Sequence, residues 1–115
     1  MSRALLEAYF QAIDAGDLES LPRFFHRDIV YERPGYDPLV GLDAVMHFYR
    51  TRRVIASGKH QVEGIVVEGD AGASWGRFAG ARKDGSAIDE RFADVYTFTD
   101  GKVRTRRSHF FRPAV

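Results

Sequence analysis

After Gly58 the hydrophobic period of this chain changes from helical to extended, and that change narrows the folds open to it. Before Gly58 apolar residues recur at intervals of three and four in three segments, with one strand-like segment among them, and after it the chain reads as extended. Residues 3 to 15 put Leu5, Ala8, Tyr9, Ala12 and Ile13 on one helical face, with Ser2 available as N-cap. Gly16 ends that helix, and Asp17 can cap a second one carrying the stripe Leu18, Leu21, Phe24 and Phe25. Pro22 lies early in it, where a missing N–H costs least. Residues 28 to 33 read as a first strand closed by Pro34-Gly35. A Gly/Pro-punctuated loop then leads to Gly41 and a third helix, with Val45, Phe48, Tyr49 and Arg52 along one side.

The second half reads as strands. His60 to Gly69 is a β-branched run ending in a Gly-Asp turn, and Ala73 to Arg82 is another. Asp84-Gly85 and Asp100-Gly101 are hairpin signals, and they set off strands of about 87 to 98 and 102 to 111. The order α-α-β-α-β-β-β-β predicts an α+β layer arrangement, a curved antiparallel sheet wrapped around N-terminal helices. A length of 115 residues suits one domain, 1–115, with a real core.

Composition excludes several functions. Seventeen basic residues against sixteen acidic ones create no global field for nucleic acid or membranes. The Arg-rich Lys102 to Arg107 run would split its charges between two strand faces, so no nucleic-acid partner is expected. Without cysteine there is no disulfide, thiolate nucleophile or Cys-based zinc site. His26, His47, His60 and His109 are scattered without metal-ligand spacing, so no metal is expected. No run approaches the roughly 18 apolar residues of a membrane span, which makes a cytoplasmic protein the default.

Ala12-Ile-Asp-Ala-Gly-Asp-Leu-Glu-Ser-Leu21, Phe25-His-Arg-Asp-Ile-Val-Tyr31, Gly41-Leu-Asp-Ala-Val45 and Phe98-Thr-Asp-Gly-Lys-Val-Arg-Thr-Arg-Arg107 carry a resemblance over essentially the whole chain. The sequence resembles the nuclear-transport-factor-2-like superfamily, which includes ketosteroid isomerases, SnoaL-like polyketide cyclases and limonene epoxide hydrolases. The resemblance implies a cone-shaped cystatin-like fold, a buried small-molecule pocket, no cofactor and a homodimer. It says little about the reaction, because one fold hosts many activities. The isomerases give the nearest register. Tyr9 falls where their oxyanion-hole tyrosine sits, and Asp94 where a protonated aspartic acid donates the second hydrogen bond. Phe48-Tyr49 matches the pair whose tyrosine supports the catalytic one. Such a site holds an enolate oxygen with preorganised donors in a dry cavity.

One position departs from the isomerases. Their proton-shuttling aspartate lies at the end of the first strand, where this chain has Arg33, and a guanidinium is no base near neutral pH. Glu32 is adjacent but points to the opposite face of the strand. Arg33 could pair with Asp94 or bind a substrate carboxylate. The epoxide hydrolase template keeps a tyrosine at Tyr31 and an arginine at Arg77, but its carboxylate positions hold Ala79 and Ser108.

The remaining candidates follow from strand register. A two-residue turn at Asp84-Gly85 would put Trp75 opposite Asp94, in the cavity wall. The resemblance sends Arg106 and Ser108 inward. A plain two-residue turn at Asp100-Gly101 would instead set Arg107 opposite Asp94, and a one-residue bulge decides between them. The expected catalytic set is Tyr9, Asp94 and Arg33, with Tyr31, Phe48, Tyr49, Trp75, Arg106 and Ser108 around the substrate and Glu90 a possible base. The expected activity is cofactor-free isomerisation, cyclisation or elimination on a small, partly hydrophobic carbonyl compound. The alternatives are a non-catalytic ligand-binding or dimerisation module, and a hydrolase or hydratase using Tyr31 and Arg33.

Overall fold

The structure, a computed structural model, describes residues 2–53 and 55–112. Helix α1 spans Ser2–Asp14, a 3-10 turn Leu18–Arg23, and strand β1 Phe25–Glu32. The short β2 (Leu39–Val40) leads into α2 (Leu42–His47) and a π-helical turn, Phe48–Arg52. Four long strands follow: β3 (Ile55–Glu68), β4 (Ala71–Arg82), β5 (Ala87–Thr99) and β6 (Lys102–Phe110). They form one open sheet in the order β2-β1-β6-β5-β4-β3. The β3–β6 meander is antiparallel, β1 joins it parallel to β6, and β2 is antiparallel to β1.

The α+β order holds, with local revisions. Gly16 N–H bonds the Ile13 carbonyl and Asp17 N–H the Ala12 carbonyl, the paired pattern that closes a helix at a left-handed residue. The second expected helix is a 3-10 turn, and the Asp17 side chain makes no capping bond. Phe25 begins β1 instead of continuing that turn. Side-chain capping by Ser2 lies outside the described residues. Two-residue β2 is too short to leave a period in the sequence.

The core lies between the inner sheet face and the helices. Strand β5 alternates strictly, burying Ile88, Glu90, Phe92, Asp94, Tyr96 and Phe98 and exposing the residues between them. That inner row packs with Leu6, Tyr9, Phe10 and Ile13 of α1, Val45 and Met46 of α2, and Phe25, Ile29 and Tyr31 of β1. Register shifts in β3, at Ile55/Ser57 and Val62/Gly64, break the ladder where the long strand bends.

The two hairpins behave differently. At Asp100-Gly101 both residues have positive φ, 54° and 74°, and Thr99 pairs with Lys102 in a two-residue turn. A bulge at Arg104 then shifts the ladder by one, so Asp94 faces Ser108 and Arg107 faces Val95. At the other hairpin Arg82 N–H bonds the Ser86 carbonyl, enclosing three residues, Lys83, Asp84 and Gly85. Gly85 takes φ 90° to complete this longer loop, a conformation a side chain would strain. The extra residue puts Ser74, not Trp75, opposite Asp94.

Candidate functional site

Trp75 is therefore corrected from cavity wall to outer face. It is 41% exposed and its indole lies over Gly64, where an added Cβ would fall 2.2 Å from the ring. Phe48 is fully buried behind the cavity, edge-on to Tyr49 and beneath the Arg33 guanidinium. Tyr9, Tyr31, Arg33, Tyr49, Asp94, Arg106 and Ser108 all line one inner cavity.

Arg106 organises that cavity. Its Nη1 donates to Tyr9 Oη at 2.6 Å and Tyr49 Oη at 3.1 Å, and its Nη2 meets Asp94 Oδ2 at 3.1 Å. The Tyr9 and Tyr49 hydroxyls lie 2.9 Å apart. The π-helical turn, closed by Arg53 N–H on the Phe48 carbonyl, carries Tyr49 there. Asp94 accepts from Ser108 Oγ at 2.5 Å on Oδ1 and from Tyr96 Oη at 3.3 Å on Oδ2, while Ser74 holds the Tyr96 hydroxyl at 2.8 Å. Thus Arg106, not Arg33 or Arg107, is the ion-pair partner of Asp94, and both Asp94 oxygens serve as acceptors. Tyr9 and Asp94 do not stand as two free donors, since the guanidinium lies between them.

Arg33 follows directly on β1 and is 8% exposed. Its guanidinium carbon lies 5.0 Å from the Phe48 ring centre, 5.7 Å from those of Tyr31 and Phe110, and 5.9 Å from that of Tyr36. Its Nη1 donates to Tyr31 Oη at 2.7 Å. Tyr31 Oη is also 3.1 Å from Ser108 Oγ, and the Arg106 guanidinium lies 4.8 Å from the Tyr31 ring centre. Glu32 turns outward to Arg107, as strand alternation requires.

Tyr31 responds to this network in the opposite sense to Tyr9 and Tyr96. Burial pushes the Tyr31 phenol up, but Arg106, Arg33 and the Ser108 hydrogen bond pull it down, and the net result holds Tyr31 below the ordinary tyrosine value. For Tyr9, burial dominates the pull of Arg106 and holds the phenol well above that value. Tyr96 is raised too, by burial and by Asp94. Burial alone would lower Arg106, yet Asp94 and the surrounding tyrosines raise it well above the ordinary guanidinium value.

Glu90 also lines the cavity, with its carboxylate taken up by Arg112 at 3.1 Å. Sequence reasoning missed two polar lining residues, Arg53 and His60, and the apolar Ile55 and Phe78. His60 had no spacing signal, because its partner Asp14 is 46 residues away on α1. Free space in the inner cavity is about 30 Å³, and Tyr49, Arg53, Ile55 and Phe78 line both it and an adjoining outer vestibule of about 610 Å³. Among the described residues no three His, Asp or Glu side chains converge in a way that could hold a metal ion, and no helix is long and apolar enough to cross a membrane. Arg77 and Ala79, the epoxide hydrolase positions on β4, face outward, and Arg77 pairs with Asp89 at 3.7 Å.

Residues 6–105 match the family model of the SnoaL-like domain, and the chain belongs to that family, within the nuclear-transport-factor-2-like superfamily. Solved structures share the fold at low identity. A nuclear-transport-factor-2-like protein of unknown function from Burkholderia pseudomallei superposes with a TM-score of 0.86 at 19% identity, over 95% of this chain and 89% of its own. A candidate SnoaL-like polyketide cyclase from Jannaschia sp. CCS1 gives 0.83 at 16%, covering 96% and 85%. An epoxide hydrolase of the limonene type from M. tuberculosis gives 0.82 at 18%, covering 95% and 81%. No curated protein matches the chain.

Proposed function

We propose that this protein is a cofactor-free enzyme of the isomerase, cyclase or lyase type that acts on a small carbonyl compound through its enolate or phenolate form. The observation that carries this reading is the setting of Tyr31, with Arg33 at 2.7 Å, Ser108 at 3.1 Å and Arg106 against its ring, on the wall of the inner cavity. At rest the Tyr31 hydroxyl donates to Ser108 Oγ, whose own proton goes to Asp94. A ligand oxyanion takes over that donor, and an acidified phenol flanked by guanidinium groups is a strong donor to it. The oxyanion centre thereby moves from the Tyr9–Asp94 pair to Tyr31, with Tyr9, Tyr49 and Asp94 fixing Arg106 beside it. Three lining arginines against two lining carboxylates also favour an electron-rich ligand. The ligand places its oxygen-bearing end inward and its body in the vestibule, whose volume suits a small organic molecule.

The neighbouring folds described as a candidate polyketide cyclase and an epoxide hydrolase are compatible with a small-molecule enzyme. The hydrolytic alternative draws less support, since Arg77 faces outward and the carboxylate positions of that template hold Ala79 and Ser108. Binding of 4-nitrophenol tests the proposal by its absorbance. The protein is expected to bind the phenolate and deepen its ionisation, and Tyr31→Phe is expected to weaken binding at least tenfold. Equal affinity in the wild type and in Tyr31→Phe would refute the role of Tyr31. A non-catalytic binding module would bind the same ligand but turn over no enolisable compound.

We also propose a homodimer formed through the outer sheet face. Trp75, Val66 and Val95 are 41%, 55% and 46% exposed on adjacent strands, and Ala73 and Ala93 join them in register.

A further inference from the structure

An enolising enzyme needs a group that takes the proton from carbon, and neither candidate carboxylate in the cavity is free to do so. Asp94 is bonded to Arg106, Ser108 and Tyr96, and Glu90 to Arg112. The cavity has a third candidate, the imidazole of His60, and Asp14 holds it from outside the cavity wall. Asp14, the last residue of α1, accepts from the His60 backbone N–H at 2.8 Å through Oδ2 and lies 2.5 Å from the His60 Nδ1 through Oδ1. The second contact fixes the ring. A neutral imidazole that gives its Nδ1 proton to a carboxylate must carry its lone pair on Nε2.

The ring is also locked in place by its neighbours. Phe10, Phe78 and Phe92 pack around it with centroids at 4.9, 4.6 and 5.3 Å. His60 and Asp14 are only 11% and 19% exposed at their side chains, yet His60 lines the same cavity as Tyr31, Arg33 and Arg106. No hydrogen bond to Nε2 occurs among the described residues, and with Nδ1 held by Asp14 it is Nε2 that the ring offers to the cavity it lines. A purely structural tie between α1 and β3 would be complete with the backbone bond to Asp14 alone. The imidazole on the cavity wall adds a chemical group that such a tie does not need.

We propose that His60 is the general base of this site and that Asp14 is its positioning residue. This rests on the oxyanion reading of Tyr31 above. In the step it performs, the α-C–H bond of the carbonyl substrate breaks and the proton passes to His60 Nε2. The bonding pair becomes the enolate π bond, and the carbonyl oxygen takes the negative charge beside Tyr31, Arg33 and Arg106. Asp14 stabilises the imidazolium that results. Return of the proton to another carbon gives an isomer; attack of the enolate on a second carbonyl closes a ring; expulsion of a β-leaving group gives elimination. No oxidant, reductant or cofactor enters the balance.

The test uses cyclohexanone in deuterated buffer, with α-proton exchange followed by NMR. The wild-type protein is expected to accelerate exchange over buffer. His60→Gln, which preserves most of the side-chain volume, is expected to lower that acceleration at least 100-fold, in the range typical of general base catalysis. Asp14→Asn is expected to lower it at least tenfold while 4-nitrophenolate affinity changes less than twofold, a separation that loss of a structural tie would not produce. Independently, long-range nitrogen–proton correlations on the wild-type protein are expected to show neutral His60 protonated at Nδ1, and Asp14→Asn is expected to redistribute the tautomers toward Nε2–H. Wild-type exchange rates in His60→Gln, no exchange by a wild-type protein that binds 4-nitrophenolate, or an Nε2–H tautomer in the wild type would each overturn the assignment. Failure of 4-nitrophenolate to bind would instead count against the oxyanion reading, and the tautomer then decides the dyad by itself.

Discussion

Neutralising Asp94 is the perturbation whose energetic outcome the structure defines best. Asp94 and Arg106 are 2% and 5% exposed, and their contact is 3.1 Å. At an effective protein dielectric near 20, charges this close attract by about 4–5 kcal/mol. Burial opposes the charge on Arg106, and Asp94 is the largest influence that restores it. Asp94→Asn removes that attraction but leaves the cation in place. Breaking one side of a buried pair typically costs about 3–5 kcal/mol, and the low end applies here because an amide oxygen can still accept from Arg106 or Ser108. A loss near 3 kcal/mol is a large share of the roughly 5–15 kcal/mol that holds a domain together. It corresponds to a fall in Tm of about 12 °C for a chain of this size. The assay is urea unfolding at constant m, with Arg106→Gln and the double variant completing a cycle. The Asn/Gln pair buries no net charge and is expected to recover at least half of the loss. Tyr31 offers a parallel readout. Asp94 raises its phenol, so Asp94→Asn should shift Tyr31 titration to lower pH, measured by near-ultraviolet absorbance. A loss below about 1 kcal/mol, or a double variant no more stable than Asp94→Asn, would refute the view that this charge pair anchors the cavity.

Two further outcomes follow from the same geometry. In a spectrophotometric titration of the five tyrosines, one is expected to ionise below the ordinary tyrosine value near 10, and Tyr31→Phe is expected to remove that component; an unchanged titration would contradict the influence of Arg33 and Arg106. Tyr31, lowered, adds stability above its unfolded value that is lost as pH falls through its folded one. Tyr9 and Tyr96, raised, contribute stability present below their unfolded value and lost as pH climbs toward their folded ones, so two against one should make the fold weaken in alkali. On the outer face, Trp75→Lys is expected to convert a sedimenting dimer to a folded monomer, and a wild-type monomer at micromolar concentration would dispose of that interface.

What the sequence disclosed, and what it hid, both turn on single residues in turns. The inward row of β5 was legible because alternation is strict and Asp94 interrupts an apolar face, so burying it required a partner. The partner was harder to see. Arg106 and Arg107 are adjacent, and only the bulge at Arg104 chooses which one enters the cavity. The Asp84-Gly85 hairpin shows the same sensitivity with the opposite outcome. A loop of three residues looks like one of two when Asp-Gly is its only signal, and the added residue exchanges Trp75 for Ser74 on the inner face. That exchange shapes the chemistry. An inward indole would fill space beside Asp94, whereas Ser74 leaves Tyr96 room to bond both Ser74 and Asp94. The Asp14–His60 contact was illegible for a different reason. It joins the end of a helix to a strand 46 residues on, and no period or motif connects them. A one-residue change of loop length could thus turn a charge out of the cavity without altering any residue in its wall. In this fold the spacing of the turns is as much a part of the site as the side chains it directs.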